Sequence, residues 1–211
     1  MYQLFTTMKQ FIFPIFLGSL ITSCASSYTN LNPRNTFYIS SEKPEEITLS
    51  YKYGVLKESG NKKYSKKEDK SGLQVVAVKV TNNSDRAVTL NENYSIYAGG
   101  SQVNLMSPSY VAKEIKQGVA IYLLYMLLTP MVYTESDDFG RTTSTTPVGL
   151  IIGPGITLLN IGRAASANAK FRKDLENFSL IGKSIAPGET AYGLMGVQNT
   201  GYAPLKAKLT D

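Results

Sequence analysis

Residues 73–85 of the chain read Leu-Gln-Val-Val-Ala-Val-Lys-Val-Thr-Asn-Asn-Ser-Asp. Aliphatic side chains occupy both faces of this stretch up to Lys79, which is typical of a central β-strand that is covered on both sides. Asn82-Asn-Ser-Asp85 then supplies turn chemistry, because Asn and Asp tolerate left-handed backbone conformations and bond to their own backbone. The stretch therefore predicts a buried strand that ends in a tight turn.

Five further stretches carry apolar residues at the period of two that is typical of half-covered strands. They are residues 47–55, 88–90, 94–98, 103–105 and 205–209. Gly99-Gly100 supplies the turn between two of them, and the turn signal Pro187-Gly188 leads into a further strand at residues 190–197. Seven short strands at this spacing predict an antiparallel β-sandwich over residues 47–211.

Two of these segments resemble a known group of domains. Residues 76–85 are similar to the "strand, Asn-rich turn, strand" pattern of immunoglobulin-like domains in bacterial lipoproteins, and residues 185–190 (Ile-Ala-Pro-Gly-Glu-Thr) resemble the turn before their penultimate strand. The resemblance implies a mainly β fold with an immunoglobulin-like sandwich. It implies no catalytic residues, because that group shares none.

Residues 107–179 depart from the strand pattern and predict a helical hairpin inserted in the sandwich. Ser107-Pro108 is a favourable helix start, and apolar residues then recur at helical spacing. A polar stretch, residues 135–146, separates two uncharged runs, and Gly153-Pro-Gly155 interrupts the second. A helix is predicted after that interruption, with one apolar face formed by Ile161, Ala164, Ala165, Phe171, Leu175 and Phe178.

Three interpretations of the apolar residues 118–162 stay open: core of the sandwich, insertion in a membrane, or docking of a partner protein. Residues 148–161 are too short, and too broken by Pro154, to span about 30 Å of hydrocarbon, which favours the core. A helix that is apolar all round needs cover on every side, which favours a partner or a lipid surface. Gly149 and Gly153 are a small-residue pair of the kind that lets helices approach closely.

The beginning of the chain carries the most specific motif. Residues 11–21 are an apolar run of the length expected for the core of an export signal, and Leu20-Ile-Thr-Ser-Cys24 resembles the lipobox of bacterial lipoproteins. The chain has only one Cys, and it stands where a lipobox needs it. Translation from Met1 and from Met8 are both compatible with this signal.

The resemblance to a lipoprotein signal implies a processed and membrane-anchored protein. Residues 1–23 would be removed, and Cys24 would carry a diacylglycerol on its thiol and an acyl chain on its amine. More than one chain gives stable anchoring. Ala25 and Ser26 contain no inner-membrane retention signal, so we expect the periplasmic face of the outer membrane. Residues 24–46 are expected to be the lipidated Cys and a tether.

Composition excludes much catalytic chemistry. The 211 residues contain no His and one Cys, which excludes Ser-His-Asp and Cys-His arrangements, Cys pairs, and most zinc and haem sites. The net charge of +6 is not accompanied by a nucleic-acid motif, and an exported chain does not meet nucleic acid. No enzyme activity, cofactor, metal or nucleic acid is therefore predicted.

Four minor patterns have structural explanations. The six lysines within residues 57–70 predict a solvated hairpin loop, with contact to anionic headgroups, lipopolysaccharide or peptidoglycan as the functional alternative. Ser59 and Lys62 have Ser-x-x-Lys spacing but lie in that polar segment. Residues 135–138 are acidic without the spacing of a calcium loop. Residues 153–155 lack the remaining glycine of a dinucleotide turn.

Together these observations predict an outer-membrane lipoprotein that faces the periplasm and acts as a binding or scaffolding module of an envelope complex, with a protein partner at the hairpin. The alternative is a lipoprotein that binds a small molecule or a glycan in a cleft between hairpin and sheet.

Overall fold

The structure is a computed structural model that describes residues 24–40, 45–198 and 200–210. The predicted signal peptide, residues 1–23, lies outside the described residues. The chain divides into two compact units. The β-rich unit comprises Ser27–Gln117 and Ser166–Asp211, and the apolar unit comprises residues 24–26 and Gly118–Ala165.

The described residues form twelve strands, all paired antiparallel to their named neighbours. They are β1 (Ile39–Ser40), β2 (Ile47–Lys52), β3 (Leu73–Asn82), β4 (Val88–Thr89), β5 (Tyr94–Ala98), β6 (Ser101–Gln102), β7 (Leu105–Met106), β8 (Tyr133–Ser136), β9 (Thr142–Thr146), β10 (Ser184–Ile185), β11 (Thr190–Gln198) and β12 (Leu205–Leu209). A five-stranded sheet has the order β1-β2-β3-β11-β7, and a three-stranded sheet has the order β12-β5-β6. The pairs β4–β10 and β8–β9 complete the strands, so the fold mixes antiparallel sheets with helices.

Helices join and cover these strands. The α-helices are α1 (Val55–Glu58), α2 (Lys62–Ser71), α3 (Pro108–Ile115) and α4 (Gly149–Asn177), and the 3₁₀ helices are Pro33–Asn35 and Ala120–Leu128. The Ser107 hydroxyl accepts a hydrogen bond from the Tyr110 N–H, which confirms the predicted start of α3. Since the division between the units falls within α4, its residues up to Ala165 belong to the apolar unit.

Strand β3 lies in the middle of the five-stranded sheet and is buried on both faces, as its sequence predicts. Val76, Val78 and Val80 join a core with residues of β5 and β12 on the three-stranded sheet. Val75 and Ala77 point into a second core, formed with helix residues. The members of that second core that lie in α-helices are Val55, Leu56, Tyr64, Val111, Ala112, Ile115, Ala167, Phe171 and Leu175. Each face of the strand is therefore covered by a different layer.

The turn after β3 also forms as predicted. The Asn82 side chain is fully buried, and its Oδ1 accepts a hydrogen bond from the Ser84 N–H at 3.0 Å. Its Nδ2 donates to the carbonyls of Arg86 and Ile185, at 2.8 Å and 2.9 Å. Asn82 therefore joins the end of β3 to β10, which lies about a hundred residues further along the chain.

The prediction of a solvated loop at residues 57–70 is wrong, because α1 and α2 occupy this segment. Only one narrow face of α2 is buried, and it consists of Tyr64, Ser65 and Glu68. A helix face with a single apolar side chain gives no helical periodicity in hydropathy. The lysines therefore determine the hydropathy of this segment, which is typical of a solvated loop.

The inserted segment, residues 107–179, is more varied than a helical hairpin. It contains α3, a 3₁₀ helix, the ribbon β8–β9 and α4. The ribbon, with its turn, occupies most of the polar stretch at residues 135–146. The predicted interruption at Gly153-Pro-Gly155 is wrong, because α4 continues through Pro154.

The predicted apolar face of the second helix is largely correct. Ala164, Phe171 and Leu175 are buried, whereas Ala165 is exposed and Ala167 takes its place on the buried face. The end of α4 therefore contributes Ala167, Phe171 and Leu175 to the second core, outside residues 118–162, which the three interpretations concern. The residues of the apolar unit behave differently, as described below.

Candidate functional site

Cys24, the predicted lipidation residue, is the first residue that the structure describes, and it is exposed. The next residue, Ala25, is buried at 3% exposure, and its backbone N–H donates a 2.6 Å hydrogen bond to Asn160 Oδ1 on α4. The Asn160 carboxamide is itself oriented, because its Nδ2 donates to the Ile156 carbonyl at 2.9 Å. The chain that follows Cys24 is therefore fixed on α4.

A small core holds the apolar unit together. Tyr122 and Tyr125 of the 3₁₀ helix are buried beside Ala25 and Ala164. Leu128, Ile156 and Ile161 pack against this cluster. Ala25 is thus part of the interior of this unit, directly next to the residue that would carry the lipid.

Close backbone contact between α4 and the preceding segment explains the two glycines. A Cβ at Gly149 would lie 2.2 Å from the Leu128 carbonyl oxygen, and one at Gly153 would lie 3.0 Å from that of Tyr125. Thr157 lies on the same face of α4, and its hydroxyl donates a 2.8 Å hydrogen bond to the Gly153 carbonyl. Gly149 and Gly153 therefore permit close packing of α4 against the preceding segment within this unit.

Large apolar side chains of the apolar unit are exposed, and we call this set the apolar surface. It comprises Val119, Ile121, Leu123, Leu124, Met126, Leu127, Val132, Leu150, Ile151, Ile152, Leu158 and Leu159. Their exposed fractions run from 39% at Val119 to 79% at Ile151. No charged residue interrupts either contributing segment between Lys116 and Glu135 or between Arg141 and Arg163. Contiguous exposed apolar patches are typical of surfaces that contact a protein, a membrane or a ligand.

Taken as a whole, the 29 residues of helix α4 pass a test of length and mean hydropathy for a membrane span. Its uncharged part, residues 149–162, is only about 21 Å long at 1.5 Å per residue. The hydrocarbon core of a bilayer is about 30 Å thick. Charged residues follow from Arg163 onward, so the apolar part of the helix is shorter than a span.

Residues 28–33, which were expected to belong to a tether, pack in the β-rich unit. The Asp174 carboxylate of α4 accepts hydrogen bonds from the Tyr28 hydroxyl at 2.9 Å and from the Leu31 N–H at 2.7 Å. The Asn61 side chain bonds to both the N–H and the carbonyl of Thr29. Burial, and then the Asp174 charge, raise the pKa of Tyr28 well above its ordinary value. Sequence reasoning missed these partners because they lie far apart in the chain.

A cleft of about 290 Å³ opens in the β-rich unit beside this segment. Its apolar lining comes from Leu31, Pro33, Val55, Ala77 and Leu194. Its polar lining comes from Asn30, Asn32, Asn35, Thr36, Glu58 and Ser59. The Glu58 carboxylate also lies 2.7 Å from Lys52 Nζ. Amide and hydroxyl groups around an apolar floor can bind a polar ring compound such as a sugar.

The minor patterns of the sequence find structural roles. The Ser59 hydroxyl donates to the Val55 carbonyl at 2.7 Å at the end of α1, so the Ser-x-x-Lys pair is part of a helix terminus. The Asp137 carboxylate accepts hydrogen bonds from the Phe139 N–H and from the N–H and Nε of Arg141. These hydrogen bonds lower the pKa of Asp137. In the part of the chain that the structure describes, no group of three or more acidic or Cys side chains could hold a metal ion.

Comparison with known protein families, with curated proteins and with solved structures finds no match to the chain.

Proposed function

We propose that the chain is a lipoprotein anchored in the bacterial outer membrane through Cys24, with its folded part in the periplasm. In this proposal the β-rich unit is an immunoglobulin-like sandwich that serves as a binding or scaffolding module of an envelope protein complex. The lipobox at residues 20–24 supports the anchor. The core between the five-stranded and three-stranded sheets supports the sandwich.

The observation that carries the proposal is the position of Cys24. It is exposed, as a residue must be if a lipid is to be attached to its thiol. It also belongs to the same compact unit as the apolar surface. A lipid on Cys24 would therefore emerge beside side chains that themselves avoid water.

Incorporation of labelled palmitate in cells, followed by density separation of the two membranes, tests the anchor and its location. We expect label in the wild-type protein and its recovery with the outer membrane. The variant C24S should carry no label. The double variant C24S/S26C keeps one Cys but moves it out of the lipobox, so it should also carry none. Label in the double variant, or recovery of the wild type with the inner membrane, would contradict the proposal.

A photo-reactive amino acid at exposed positions of the β-rich unit tests the scaffolding role. Phe37, at 92% exposure, is the most accessible of its large apolar side chains. We expect a crosslink to one envelope protein, and a detergent-extracted complex that contains this protein and is larger than the monomer. A monomer without crosslinks at several exposed positions would contradict the role.

The cleft beside residues 30–36 favours a second candidate function, the binding of a small molecule or glycan. A saturable rise in melting temperature on addition of soluble peptidoglycan fragments would support it, because ligands that bind only the folded state stabilise that state. The variant N35A should reduce this rise, since Asn35 lines the cleft. An equal rise in N35A and in the wild type would place binding elsewhere.

A further inference from the structure

We propose that the apolar surface is inserted at the headgroup–acyl boundary of the membrane leaflet that holds the Cys24 lipid. The apolar unit would then be a second, protein-based attachment to that membrane. The proposal rests on the lipidation of Cys24 proposed above. It names phospholipid acyl chains as the occupant of this surface.

Covalent geometry places the lipid next to α4. The Ala25 N–H donates a 2.6 Å hydrogen bond to Asn160 Oδ1. Since only four covalent bonds separate the Ala25 nitrogen from the Cys24 sulfur, Cys24 Sγ lies no more than about 8 Å from Asn160 Oδ1. The glycerol of a lipidated Cys is bonded to Sγ and lies at the level of the lipid ester groups. Asn160 is therefore held within about 10 to 12 Å, the diameter of a helix, of the lipid ester groups.

The residues around Asn160 have the chemistry of an interfacial helix. Leu158 and Leu159 are 70% and 77% exposed, and no charge occurs between them and Gly149. Arg163 follows at the end of the uncharged run and is exposed, so its guanidinium can reach lipid phosphates. Aliphatic side chains flanked by a cation are typical of helices that lie in the headgroup–acyl boundary.

Shallow insertion is favoured over spanning. The uncharged part of α4, about 21 Å long, is shorter than the hydrocarbon core. The ribbon β8–β9 and its turn carry Glu135, Asp137, Asp138 and Arg141, and charged groups are costly at the bilayer centre. If the apolar unit lies in the membrane interface, the short apolar part of α4 contacts acyl chains while the charged ribbon stays in water. If α4 spanned the membrane, the ribbon would have to pass through the hydrocarbon.

A protein partner is the less favoured occupant of this surface. The acyl chains of Cys24 must enter the bilayer within reach of α4, so lipid is present there without any further binding event. A protein that covered the same side chains would have to exclude those lipids locally. Proximity to the anchor is the observation that selects the membrane.

The test uses the full-length lipidated protein, purified and reconstituted in vesicles of phosphatidylethanolamine and phosphatidylglycerol. Cys24 is blocked by its lipid, so a Cys introduced by L158C is the one thiol that an environment-sensitive fluorophore labels. The matched control is S136C, which places the same label on the exposed polar ribbon of the same unit. The mass of the N-terminal peptide is measured on the same samples.

We expect the label at position 158 to be quenched by nitroxides placed high on the acyl chains. Quenching by aqueous iodide should be about five-fold weaker there than at position 136. Equal iodide quenching at both positions, with an acylated N-terminal peptide, would overturn the inference and leave the lipoprotein proposal standing. Protection of position 158 from both iodide and lipid nitroxides would also overturn it, because protein would then cover the surface. An N-terminal peptide without lipid would overturn the proposed function itself, and the inference with it.

Discussion

Replacing Glu68 by glutamine should stabilise the protein at pH 8 and leave its stability almost unchanged below pH 4.5. Glu68 lies on α2 at 7% exposure, and its Oε1 accepts a 2.6 Å hydrogen bond from the Val75 N–H at the start of β3. Burial raises the pKa of Glu68 from 4.5 to about 7, against the lowering effect of that hydrogen bond, and neighbouring Asp69 adds to the rise.

The sign follows from proton binding. Between pH 4.5 and 7 the folded protein keeps a proton on Glu68 that the unfolded chain releases, so the free energy of unfolding falls as the pH rises through this range. The contribution of Glu68 protonation to the free energy of unfolding is fully present below pH 4.5 and is lost above pH 7. A pKa difference of this size corresponds to about 3 kcal/mol. In the variant E68Q the side chain stays neutral at every pH, and its carboxamide oxygen can still accept the hydrogen bond from Val75.

Urea unfolding followed by circular dichroism at pH 4.5 and pH 8 measures the effect. We expect E68Q to exceed the wild type by up to about 3 kcal/mol at pH 8, or by about 6 to 12 °C in melting temperature, and by little at pH 4.5. The control is E58Q, because the Glu58 side chain is 59% exposed and its ion pair with Lys52 should contribute little. A difference between E68Q and the wild type that is the same at both pH values would refute the reasoning.

Two further substitutions test the packing of the β-rich unit. The variant D174A removes the acceptor of two buried hydrogen bonds and should lower the free energy of unfolding by about 3 kcal/mol. The control variant E176A changes a side chain two residues further along α4 that is 52% exposed, and it should have little effect in the same urea titration. An equal effect of the two would contradict the described contacts. The variant G196A would place a Cβ 2.1 Å from Val111 Cγ2 and should cost about 1 to 3 kcal/mol, with part of the loss recovered in G196A/V111A. Melting temperatures that are additive across these variants would show that the two residues are not in contact.

The parts of the fold that could be predicted from sequence are those with local signals. Strand β3 is predictable because apolar residues on both faces require cover on both faces, and Asn82 is predictable as a turn residue because its side chain bonds to nearby backbone. Ser107-Pro108 marks the start of α3 for a similar local reason. Each of these features is determined within about ten residues of sequence.

The parts that were missed depend on long-range contacts or on narrow buried faces. Helix α2 presents one buried aromatic, Tyr64, and therefore gives no apolar stripe. Helix α4 continues through Pro154, although an interior proline normally costs a helix about 3 kcal/mol. Gly153, which together with Pro154 and Gly155 suggested a break, packs closely against the preceding segment, so this glycine belongs to the helix.

The candidate site shows the same division. Cys24 is a candidate from sequence alone, because the residues before it resemble a local motif, the lipobox. Its support on α4 could not be identified in this way, since the Ala25–Asn160 hydrogen bond joins residues 135 positions apart. Asn160 was the available signal for this contact, because an amide side chain that is buried in an apolar run needs a hydrogen-bond partner.

The central claim is that Cys24 is the lipid-bearing first residue of the mature protein, and the mass of the N-terminal peptide tests it most directly. The protein would be isolated from the cell envelope and digested, and the N-terminal peptide identified by mass spectrometry. The account predicts a peptide that begins at Cys24 and carries a diacylglycerol on the thiol and an acyl chain on the amine. A peptide that begins at Met1 or Met8, or one with an unmodified Cys24 thiol, would contradict it.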